Sequence, residues 1–137
     1  MLHPLPFSRL RAFTLTELLI ALVIVGILVY LALPDYSQVI SNAKATEAKL
    51  QLEHLYSLET TQFYQRSSYS ADLQELGFKQ QPLITDGGNA NYRIEVLNAG
   101  PQSFSARATA VVDFNQNGQF NVWAIDQAKK LKEVAPD

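Results

Sequence analysis

The sequence predicts an α+β fold, with one long N-terminal helix, membrane-spanning in its first half, packed on a small antiparallel β-sheet. Three observations predict it. Phe13 to Leu33 is a run of 21 residues whose one charge is Glu17. Beyond Pro34, apolar residues return at helical spacing, at Ala45, Ala48, Leu52, Leu55 and Phe63. From Tyr92 onward the period falls to two, and glycine- and asparagine-containing turns separate the runs.

The first run, taken as a helix, is about 31 Å long, close to the thickness of the hydrocarbon core of a bilayer. Arg9 and Arg11 precede it with no acid before Glu17. The positive-inside tendency puts that end in the cytoplasm and the C-terminal bulk across the membrane. A secretory signal peptide fits poorly, because its apolar core is about 7–15 residues long and ends in small residues. A plain signal anchor explains the length and the arginines. It does not explain Glu17, since an acid inside a spanning segment costs on the order of 2–3 kcal/mol. Snorkelling to the interface, at the positive end of the helix dipole, is the structural alternative for Glu17.

Pro34 removes a backbone donor and clashes with the preceding turn, so a kink or local unwinding is expected between Tyr30 and Pro34, with Gly26 a second soft point. Helical periodicity then resumes, and the helix is expected to run from Phe13 to about Tyr64. Its second half, 34–64, is amphipathic and needs a sheet to cover its apolar stripe.

In the C-terminal region, 65–137, Ala71 to Leu76 reads as one helical turn ended by Gly77. Tyr92, Ile94 and Val96 alternate with Arg93 and Glu95. After the turn Asn98-Ala99-Gly100-Pro101, Phe104, Ala106, Ala108 and Ala110 alternate with Ser103, Ser105, Arg107 and Thr109. Gln119–Ile125 and Leu131–Val134 give a third and a fourth strand, making a meander.

The chain has 137 residues, formal net charge −2, no cysteine and two histidines. Disulfides, thiolate catalysis and zinc–thiolate sites are excluded together. No basic run exceeds Lys129-Lys130, so no nucleic-acid binding is evident. No serine–histidine–acid set or phosphate loop can be assembled, and the chain does not read as an enzyme. Asp113-Phe114-Asn115-Gln116-Asn117-Gly118 matches the opening of an EF-hand loop. A calcium ion there would draw on Asp113, Asn115, Asn117, the Gln119 carbonyl and Asp126. The twelfth loop position is Ala124 instead of the bidentate glutamate, so affinity should be low, about 10⁻⁴–10⁻³ M. The alternative is a hairpin turn at Asn117-Gly118.

The order Arg9-Leu10-Arg11-Ala12, then Phe13-Thr14-Leu15-Thr16-Glu17-Leu18, resembles the N-terminus of type IV prepilins and type II secretion pseudopilins. The family has a short basic leader, a small residue before a cut, phenylalanine after it and glutamate fifth in the mature chain. Gly26, Pro34 and Tyr36 also fall where the family often has glycine, proline and tyrosine. The family usually has glycine before the cut, and this chain has Ala12. The resemblance implies a leader over 1–12, cleavage between Ala12 and Phe13 by a prepilin peptidase, and N-methylation of Phe13. It implies an inner-membrane protein with its C-terminal domain outside the cytoplasm, then assembly with identical or related subunits into a helical filament by pilus or secretion machinery. In that filament Glu17 would meet the new ammonium of a neighbouring Phe13, and the pair would set the stagger of otherwise uniform apolar helices. The absence of a C-terminal cysteine pair leans toward a pseudopilin or a pilin of another lineage. The rival reading is a monomeric binding module on an uncleaved anchor, with a calcium- or ligand-binding loop.

Overall fold

A first helix that is apolar on every side and a second that buries one apolar stripe set the architecture. The computed structural model describes residues 12–34 and 36–137. Helix α1 is Leu15–Ala32, α2 is Tyr36–Arg66, and four strands follow: β1 Tyr92–Ala99, β2 Phe104–Ala110, β3 Val122–Asp126 and β4 Lys132–Ala135. The strands pair in sequence order as an antiparallel meander. The α+β class read from the periodicities is the class observed.

The expected helix over Phe13–Tyr64 is thus two helical segments. Tyr30 to Ala32 remain helical, and α1 continues through Gly26 without a break. Departure begins at Leu33, which is extended at φ −68°, ψ 111°, while its N–H still reaches the Val29 carbonyl at 3.1 Å. Pro34 accounts for this, because its ring disfavours the α conformation in the residue before it. The departure from helix thus falls inside the expected Tyr30–Pro34 stretch, at its C-terminal end.

The chain divides into two compact units, and the second, Tyr36–Asp137, has its own core. There α2 lies against β1, β2 and β3. Ala48, Leu52 and Leu55 meet Tyr92, Ile94, Phe104, Ala106, Ala108 and Ile125 in one buried cluster. The alanines of β2 let the helix sit close, since no long side chain holds the two layers apart. Phe63, read as part of the stripe, is partly buried and stacks on Tyr69 at 4.9 Å.

Side chains fasten the connections. Glu47 on α2 accepts the Asn91 backbone N–H at 2.8 Å and its side-chain amide at 2.7 Å. That holds loop 82–91 to the helix, and within it a Cβ on Gly88 would strike the Pro82 carbonyl. Gln80 acts as a surrogate strand on the free edge of β1: its amide donates to the Tyr92 carbonyl at 3.1 Å and accepts the Ile94 N–H at 2.9 Å. An edge closed this way offers less to a foreign strand. The turn over 71–76 is present, with Asp72 accepting the N–H of Gln74 at 2.9 Å and Gly77 at φ +75°. The third strand begins at Val122 instead of Gln119, because Gln119 to Asn121 belong to the loop before it.

Candidate functional site: the head of α1 and the Asp113 loop

Helix α1 has 18 residues and no buried side chain. It is long and apolar enough to cross a membrane. A helix that is apolar on all sides needs an apolar surrounding, either lipid or other such helices. Phe13, just before it, is 87% exposed.

Glu17 is the third residue of α1, and Thr14 is its N-cap. The Glu17 N–H donates to Thr14 Oγ1 at 3.2 Å, while the Thr14 N–H donates to Glu17 Oε2 at 2.8 Å. The Thr14 hydroxyl also lies 3.0 Å from Oε2. This reciprocal capping box satisfies two donors that the first turn leaves open. Thr14 was not singled out by its chemistry in the sequence, although Thr-x-x-Glu before an apolar run is the signature of such a box. Both bonds to the carboxylate fall on Oε2, and Oε1 has no hydrogen-bond partner among the described residues. A negative oxygen at the positive end of the dipole can thereby receive a cation.

Of the residues expected to act in processing, Ala12 and Phe13 are exposed at the head of α1. The rest of the expected leader, with Arg9 and Arg11, lies outside the described residues. Gly26 sits mid-helix, and a Cβ built there meets nothing within 4 Å, so packing inside the chain does not demand glycine.

The Asp113 loop closes on itself. Asp113 Oδ1 accepts the Asn117 N–H at 3.2 Å, and Oδ2 accepts the Gly118 N–H at 2.6 Å. Asn115 Oδ1 takes the Asn117 N–H at 2.9 Å, and Asn117 Oδ1 takes the Gln119 N–H at 2.7 Å. Gln116 and Gly118 supply the left-handed turns, at φ 61° and 85°. Asp126 Oδ1 caps its own turn through the N–H groups of Ala128 and Lys130. Calcium takes six to eight oxygens. The donors named for it here are one loop carboxylate, two amide oxygens and the Gln119 carbonyl, with Asp126 engaged in its own turn. No group of three acidic, histidine or cysteine residues suited to a metal occurs among the described residues.

Comparisons with known proteins bear on the head of α1. Residues 8–32 match the family described as the prokaryotic N-terminal methylation motif. The chain is also similar to a type IV pilin. It is 35% identical over 86 residues to a type IV major pilin protein, PilA, of Myxococcus xanthus. That match covers 63% of this chain and 37% of the relative's length. The matched motif contains Ala12, Phe13, Thr14 and Glu17, and it ends with α1 at Ala32.

Proposed function

We propose that this chain is a subunit of a type IV pilus or a related secretion pseudopilus. In this reading a prepilin peptidase cuts between Ala12 and Phe13 on the cytoplasmic side of the inner membrane and methylates the new terminus. The C-terminal domain lies outside the cytoplasm, and α1 passes from the bilayer into the core of a helical filament. The observation that carries the reading is the methylation motif at the head of a helix with no buried residue. Glu17 gives it a mechanism. Its Oε2 is held by Thr14, and its Oε1, without a hydrogen-bond partner among the described residues, can receive the Phe13 ammonium of the next subunit. In a low dielectric each charge alone is penalised, so the pair forms at one stagger only.

Intact mass of the chain from membranes tests this. Loss of Met1–Ala12 with gain of one methyl group is the expected result, and an intact leader would favour the uncleaved anchored monomer. Glu17→Ala should insert normally, because it removes a polar group from an apolar segment. It should lower the amount of sheared filament at least tenfold, and wild-type yield would leave Glu17 a capping residue alone.

A further inference from the structure

The outward face of the sheet concentrates cations on a chain whose net charge is −2. Register places Glu95, Arg107, Ala124 and Lys132 in one row across all four strands. The next row holds Arg93, Thr109 and Val122. Strands lie about 4.8 Å apart, so Arg107 and Lys132 are about 10 Å apart across the short side chain of Ala124. An open cleft of 440 Å³ is lined by Arg93, Glu95, Arg107, Thr109 and Phe120, among others. A second, of 340 Å³, is lined by Ala124, Asp126, Lys130 and Lys132. Ala124 thus belongs to the row that links the two. Arg107 pairs with Glu95 at 3.1 Å, and both side chains are more than a third exposed. Arg93 is exposed and has no acid or hydrogen-bond partner among the described residues.

We infer that this face binds a carboxylate-bearing polysaccharide, laid across the strands from the Arg93–Arg107 cleft to the Lys130–Lys132 cleft. A polymer of uronic acids presents a carboxylate on each sugar, and a guanidinium meets a carboxylate through two parallel hydrogen bonds. Sugar hydroxyls also need acceptors, which Glu95 supplies in the first cleft and Asp126 in the second. Phe120, 46% exposed, gives the C–H face of a ring an apolar wall. The interleaved acids disfavour DNA, whose phosphodiester backbone has no hydroxyl donors to offer them. The sequence pI of about 5.6 is likewise far from the basic character of nucleic-acid binders. The inference does not rest on filament assembly, because every residue in it belongs to the second compact unit.

The test uses the full chain in lipid nanodiscs, titrated calorimetrically with oligogalacturonate, a neutral galactan of the same length and a single-stranded DNA oligonucleotide. Oligogalacturonate should bind and weaken as salt is raised, while the galactan gives no heat. Arg93→Gln with Arg107→Gln should weaken binding at least tenfold. Arg93→Gln alone, at a position with no partner to lose, should weaken it at least threefold without changing the melting temperature. Lys79→Gln, outside this face, should bind as wild type. Equal binding of the galactan, unchanged affinity in the arginine variants, or DNA binding as tight as that of oligogalacturonate would each overturn the inference.

Discussion

Glu59 illustrates how much a single buried group can contribute beyond what periodicity shows. Its spacing on α2 places it on the apolar stripe, yet its charge makes it read as a solvent residue. In the structure it is 0% exposed. Its Oε2 accepts the Ser70 N–H at 3.0 Å, and Oε1 is buried without a hydrogen-bond partner. Burial pushes its carboxyl above the usual carboxylate range; the Ser70 bond opposes this, and the negative charge of Glu75 adds to it. Tyr69 also faces it, with its hydroxyl raised chiefly by burial and further by Tyr56 and Glu59. Arg66 is paired with Glu75, to which Gln62 also donates. Because the folded-state pKa of Glu59 is raised, the folded chain binds more protons than the unfolded chain between the two values. This group's contribution is therefore greatest below the unfolded pKa, about 4.3, and falls as pH rises through the folded value. Glu59→Gln keeps an acceptor for Ser70 and has no charge to bury. Melting of the full chain in detergent micelles from pH 4 to pH 8 should show a flatter pH profile for the variant, with its advantage over wild type growing toward pH 8. Parallel profiles would mean that Glu59 is neutral or solvated throughout. Glu17 was legible because it breaks a uniform run. Glu59 was not, because a charged residue in a polar stretch gives no such contrast, and only the approach of loop 67–77 buries it.

Among elements, legibility followed the strength of the period. The strands at Tyr92 and Phe104 alternate cleanly, since one face meets α2 and the other meets water. Residues after Ala110 are harder to read, because Val111 to Asn121 have neither period and are held in part by side-chain-to-backbone bonds. Asn121 shows this: it accepts the Tyr92 hydroxyl at 2.8 Å and donates to Glu133 Oε1 at 2.7 Å, tying loop, core and β4 together. Phe114 anchors the Asp113 loop in turn, with its ring 6.0 Å from that of Tyr92 and its N–H on Asp137 Oδ1 at 3.1 Å. The EF-hand-like spacing was visible in the sequence, but whether its oxygens serve an ion or the backbone depends on loop closure. Asp113→Ala removes the acceptor for two backbone N–H groups and should cost about 1 kcal/mol. The drop in melting temperature should be the same with chelator as with millimolar calcium. A wild-type rise in calcium that the variant lacks would assign the loop to the ion, by the linkage of binding to stability.

At the scale of the whole molecule, one sequence carries two kinds of apolar surface, one exposed and one buried. Helix α1 exposes Leu18, Leu22, Val25 and Val29 and has no buried residue, whereas the second unit has a buried apolar core of its own. The division was legible as a contrast in composition at Pro34. What the sequence could not set was where the soluble core stops depending on the helix. Ala45, Ala48, Leu52 and Leu55 are all 5% exposed or less, so α2 is part of that core and not a stalk leading to it. Burying side chains of this size contributes about 1.5–3 kcal/mol for each leucine, a large fraction of the 5–15 kcal/mol by which domains are stable. A fragment from Tyr36 to Asp137 should therefore be soluble and melt in one cooperative step. A fragment beginning at Ser67 keeps every strand but loses the helix that covers Ile94, Ala106, Ala108 and Ile125. It should show no cooperative transition and should aggregate through the uncovered sheet face. Leu52→Ala in the longer fragment should cost about 2–5 kcal/mol, while Leu50→Ala, two residues away and 62% exposed, should change stability by about 0.5 kcal/mol or less. Equal effects of the two leucines would mean that α2 is not docked on the sheet in solution.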